Sequence, residues 1–67
     1  MSDKNDRRRL EGLVSGLRNY QDELSDAERE GLEFVAERAR EEIRKRQDMI
    51  RRHCAATGLP VPREVLE

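Results

Sequence analysis

Few residues in this chain could make or break bonds. His53 is the only histidine and Cys54 the only cysteine, and the two are sequence neighbours. Adjacent ligands do not have the spacing of a zinc site, and no further His or Cys completes one. A nucleophile needs a base within reach, so with one histidine acid–base work would fall to carboxylates gathered in a cleft. A pair of packed helices offers no cleft of that kind, and there is no glycine-rich phosphate loop. The expectation is a chain that is not an enzyme and needs no cofactor and no metal. Cys54 then reads as a small apolar residue on a buried face, with a disulfide between two copies as the lesser alternative.

The remaining candidate chemistry is ionic. Charged residues make up 43% of the 67 residues, yet the net charge is only −1. The charge is unevenly placed. Residues 22–42 hold nine acids and three bases, a net of −6, whereas residues 43–53 hold five bases against Asp48, a net of +4. Arg7, Arg8 and Arg9 add a second basic cluster near the start. If the chain folds back on itself, the two basic clusters meet at the open end, a pole that nucleic-acid phosphates would favour. The candidate nucleic-acid contacts are Arg7, Arg8, Arg9, Arg44, Lys45, Arg51 and Arg52. A solvated surface laced with ion pairs is the simpler expectation, because a near-neutral chain with one Phe, one Tyr and no known reader motif has little to recognise bases with.

Helices must position these groups. Leu10, Leu13, Leu17, Tyr20 and Leu24 are spaced 3, 4, 3, 4, an a/d seam that Val14 broadens. Helix 1 is expected over about residues 5–23, with an N-cap within Ser2 to Asp6. Ser25-Asp26-Ala27-Glu28 reads as a capping box, so a tight turn at about 24–25 and a new helix from about 26 follow. One continuous helix through Ser25 is the competing reading. Leu32, Val35, Ala36, Ala39, Ile43, Ile50 and Cys54 carry helix 2 to about residue 56, where Gly58 is placed as C′ residue and Pro60 and Pro62 block continuation. These limits make unequal arms, roughly 46 Å and 27 Å long at 1.5 Å per residue. The tail, about 58–67, reads as extended and polyproline-like, with Leu59 and Val61 covering the end of helix 2 and a partner-docking segment as the alternative.

The expected fold class is therefore all-α, a single antiparallel two-helix hairpin domain over residues 1–67 that dimerises into a four-helix bundle. Dimerisation follows from a shortage of apolar surface. Some eleven seam residues at ~1.5–3 kcal/mol each face ~1–2 kcal/mol of backbone entropy for every ordered residue, and a lone hairpin shields only part of the seam. The oligomer seam is assigned to Leu10, Leu13, Leu17, Tyr20, Leu24, Leu32, Ala36, Ala39, Ile43 and Ile50. Phe34 lies about 200° round the helix from Leu32, so Phe34 and Met49 are assigned a second contact surface. Gly12 and Gly16 read as a place of close helix approach, matched by Ala36 and Ala39.

The layout resembles that of the Rop family of small plasmid regulators in three features: the capped short turn at Ser25–Glu28, a seam with small residues, and a cysteine near the end of helix 2. The resemblance implies a hairpin that dimerises into a four-helix bundle and binds paired RNA hairpins. It is one of architecture, without a diagnostic motif, and the unequal arms, basic pole and proline-containing tail depart from it.

The functional expectation is a small interaction module, an adaptor or regulator acting through protein–protein contacts and self-association as a homodimer. The alternative is a small nucleic-acid-binding regulator using the basic open end. No run of residues reaches the ~20 apolar positions of a membrane span, and residues 1–9 show no apolar signal core, so a cytoplasmic location is expected.

Overall fold

The computed structural model describes residues 3–66. Three helices follow in order: α1 over Asp3–Glu30, α2 over Glu33–Thr57 and the single turn α3 over Arg63–Leu66. The first two form an antiparallel hairpin within an envelope of 46 × 16 × 15 Å, so the body is only two helices wide. The all-α hairpin matches the expectation from periodicity. Ser2, one of the candidate N-caps, and Glu67 at the end of the tail lie outside the described residues.

The turn is not at residues 24–25. α1 runs straight through Ser25, which is exposed, and ends at Glu30. Gly31 takes the left-handed conformation with φ 73°. Its N–H donates to the Glu28 carbonyl at 3.3 Å, and the Leu32 N–H donates to the Ala27 carbonyl at 2.9 Å. These two bonds, closing back two and three residues before the cap, form a Schellman motif with Gly31 at C′. Leu32 then caps α2 without a side-chain bond, its carbonyl accepting from the Ala36 N–H at 2.9 Å.

The reason lies in the seam. Ala27 stands three residues after Leu24 and is buried, so the apolar spacing of α1 continues across Ser25. A Ser and an Asp inside a helix cost only a few tenths of a kcal/mol each, whereas positive φ costs a residue with a side chain about 1–2 kcal/mol. The chain reverses where the glycine makes reversal cheap. We expect Ser25→Ala to change stability by less than about 0.5 kcal/mol and Gly31→Ala to cost about 1–2 kcal/mol. Urea melts of both variants check the ranking, and the opposite order would return the turn to Ser25.

Moving the turn makes the arms nearly equal, at 28 and 25 residues, so the expected overhang of the second helix does not exist. It also removes the short capped turn on which the likeness to the Rop family partly rested. The end of α2 is where the sequence puts it. Gly58, at φ 78°, returns its N–H to the Cys54 carbonyl at 2.8 Å.

The core is short and off-centre. Leu17, Ile50, Cys54 and Val65 are buried together, and Leu10, Leu13, Val14, Ile43 and Val61 pack around them. Toward the turn the buried residues are the alanines Ala27, Ala36 and Ala39. The tail is not simply extended. After Pro62 it closes one helical turn, with the Val65 N–H donating to the Pro62 carbonyl at 3.0 Å, and this sets Val65 over the groove between α1 and α2. Leu59 and Val61 are half-buried, but Val65 is the tail residue that enters the core.

Candidate interaction surfaces

The residues assigned to the oligomer seam fall into three groups. Leu17, Ala36, Ala39 and Ile50 are buried within the single chain. Leu10, Leu13, Tyr20, Leu24 and Ile43 are half-buried along the edges of the helix pair. Leu32 is 46% exposed, because it has become the cap of α2 rather than part of its inner face. The hairpin thus uses its own seam in the half near the chain ends and leaves apolar surface uncovered near the turn.

Phe34 is 89% exposed and Met49 48%, both on α2. Val35, beside Phe34, is also exposed. Phe34, Arg38, Glu41, Lys45 and Met49 follow spacings of 4, 3, 4 and 4. At 100° per residue that places them in one stripe on the side of α2 turned away from Ile50 and Ala39. Two large apolar residues therefore bracket three charged ones on the outside of the hairpin.

The glycine pair of α1 does not mark one close approach. Gly12 has open space where a Cβ would stand. At Gly16 an added Cβ would come within 3.2 Å of the Arg46 guanidinium. Arg46 crosses α1 at this point and continues over the Tyr20 ring, 5.8 Å from its centre, a cation–π contact. Ala36 and Ala39 lie nearer the turn and do not oppose Gly12.

The basic residues do not converge on one face. Arg7, Arg8 and Arg9 are consecutive in α1 and fan over about 200°. Arg44 with Arg51, and Lys45 with Arg52, form two stripes about 100° apart on α2. Several have work within the chain. Arg51 donates to the Val65 carbonyl at 3.3 Å, Arg52 pairs with Asp48 at 3.0 Å and Lys45 with Glu42 at 3.8 Å. Arg7, Arg8, Arg9 and Arg44 make no ion pair among the described residues. The open end does gather Arg7–Arg9 with Arg51 and Arg52, since His53 Nε2–H donates to the Asp6 carbonyl at 2.9 Å and pins the two helix ends together. Arg44 and Lys45 lie about 10 Å further along α2.

Cys54 is buried beneath the tail, its Sγ 3.6 Å from the Pro60 carbonyl, and burial pushes its thiol pKa up. A buried, protonated thiol has neither the exposure nor the thiolate character that disulfide exchange requires. Among the described residues no three His, Cys, Asp or Glu side chains are grouped to hold a metal ion. No helix among them is long and apolar enough to cross a membrane.

The tail is fastened by a fork. Arg18 Nη2 and Nε both donate to Glu64 Oε2, at 2.6 and 3.2 Å. That bond, followed by one from the backbone N–H of Glu64, holds the carboxyl below the usual glutamate range. A carboxyl whose pKa is depressed on folding stabilises the fold above its unfolded pKa and loses that contribution as pH falls through the folded value. We therefore expect the tail to loosen only in acid, below the ordinary glutamate pKa, with the Val65 amide exchanging faster there. Glu64→Gln should show the faster exchange at neutral pH and flatten the pH dependence. Because both side chains are partly solvated, salt should weaken the effect.

Sequence reasoning missed Val65. Its spacing of four from Val61, with Pro62 three residues before it, is the available signal for a capping turn. No protein-family model matches the chain, and no curated protein and no solved structure matches it either.

Proposed function

We propose that the chain is a small non-enzymatic interaction module, an adaptor or regulator that works through protein–protein contacts and self-association as a homodimer. One observation carries this reading. The large apolar side chains left exposed, Leu32, Phe34, Val35 and Met49, all lie on α2 or at its cap, in a chain whose buried core is only seven residues among those described. A chain so short of core gains most from covering such residues with a second chain. Self-association then contributes to folding, and stability rises with concentration.

Light scattering on size-exclusion fractions, paired with circular dichroism across concentration, tests the proposal. The expected result is a mass of twice the 7.9 kDa of one chain, with helicity falling as the sample is diluted. A cooperatively melting species of single-chain mass at every concentration would overturn it.

A second reading, nucleic-acid binding at the open end, is favoured by Arg7, Arg8 and Arg9, whose guanidinium groups form no ion pair among the described residues. Changing Arg7, Arg8 and Arg9 together to Gln removes charge without breaking any of those pairs. If this end binds RNA or DNA, affinity should drop and the slope of log K against log salt should shrink by ~0.7–0.9 for each phosphate no longer neutralised. No binding by the unaltered chain at low salt removes this reading.

A further inference from the structure

We propose that the second copy docks on the outer stripe of α2 with its chain direction reversed, so that Phe34 of one copy meets Met49 of the other. This rests on the self-association proposed above and adds the face and the orientation.

The face follows from exposure. Phe34 is the most exposed of the large apolar residues, and Met49 lies on the same stripe about 22 Å along α2 at 1.5 Å per residue. In a twofold arrangement with reversed helices, the axis falls between Glu41 and Glu42, and both Phe34–Met49 contacts form at once, as an isologous interface requires. Methionine is an adaptable partner for an aromatic ring, through contacts of its sulfur with the ring edge.

The orientation follows from charge. Residues 22–42, which surround the turn, have a net charge of −6, and the remaining residues have eleven bases and six acids, a net of +5. Two copies side by side in the same direction place the acidic turn ends together. Reversal places the acidic turn end of each against the basic open end of the other. In the reversed register Arg52, which shares the outer stripe, comes opposite the Glu30–Glu33 turn, while near the axis Arg38 stands opposite Lys45 and Glu41 opposite Glu42, so the attraction is carried by the ends. Opposite charges at such distances attract and like charges repel within the screening length of ~8–10 Å, so added salt should weaken this dimer.

Single-cysteine spin labels at Glu41→Cys and Glu33→Cys, in a Cys54→Ala background, test the arrangement. Expected are a dimer by light scattering and a short separation between the two Glu41 labels. The two Glu33 sites should stand about 26 Å apart along the axis at 1.5 Å per residue. Phe34→Ser with Met49→Ser should weaken the dimer about tenfold or more, with circular dichroism reporting at high concentration whether each chain stays helical. Short separations at both labelled positions would mean copies running the same way and would overturn the orientation while leaving self-association standing. A dimer unaffected by the Phe34 and Met49 changes would overturn the face. A monomer at all concentrations would overturn the proposed function and this inference together.

Discussion

Leu17→Asp is expected to abolish the fold. Leu17 is fully buried at the centre of the cluster with Ile50, Cys54 and Val65, the one place among the described residues where α1, α2 and the tail share a core. Truncating a buried leucine to alanine costs ~2–5 kcal/mol, and a carboxylate there adds the burden of an unpaired buried charge. A chain of this length has a total stability of roughly 3–10 kcal/mol at 0.05–0.15 kcal/mol per residue. The change therefore removes most or all of it. Circular dichroism at 222 nm should show loss of most helical signal, because neither arm holds its helix without the other. Ile43→Asp, at a half-buried position on the edge of the same cluster, should be milder in the single chain. If Leu17→Asp retains full helicity, the core has been placed wrongly.

Deleting residues 59–67 should have the next largest effect. The deletion withdraws Val65 from the groove and Val61 from its rim, and uncovers Leu17, Ile50 and Cys54. Two valines at ~1.5–3 kcal/mol each for full burial set an upper bound of about 6 kcal/mol. Val61 is only half-buried, so about 3–4 kcal/mol is the expected loss. The deletion also frees Arg18 and Arg51 from Glu64 and the Val65 carbonyl. Thermal melts should show a large drop in midpoint, and Cys54 should become reactive toward a thiol reagent that leaves it untouched in the full chain. An unchanged midpoint would mean that the tail is an ornament on a self-sufficient hairpin. An intact fold with a reactive Cys54 would assign the tail the role of a cover only.

The tail also shows how a narrow body stabilises itself. Two helices side by side leave a groove on each face, and in this chain one groove is filled over half its length by the tail. The other half, toward the turn, is closed by alanines, which let the helices approach but bury little apolar area. Leu32, Phe34 and Val35 and the concentration of acids fall in that thinly packed half.

Much of the fold was legible in the sequence, and particular residues explain what was not. The 3–4 spacing from Leu10 to Leu24 and from Ala36 to Cys54 determined that there are two amphipathic helices and which side of each faces inward, because a helix face is a property of local spacing. Gly58 determined the end of α2 for the same kind of reason, since left-handed backbone is cheap only where a side chain is missing. The turn was different. The capping box at Ser25–Glu28 was the local stop signal read from the sequence, but burial of Ala27 rewarded a longer α1, and Gly31 made the left-handed reversal cheap four residues after Ala27. That choice set the register of the hairpin, so it also decided that Arg46 would cross at Gly16 and that Leu32 would be left half in solvent. Val65 entered the core because the groove it fills exists only after α1 and α2 have paired. Spacing along the chain determined the helical faces, and tertiary packing decided which faces met, because contact between distant residues depends on where the chain turns.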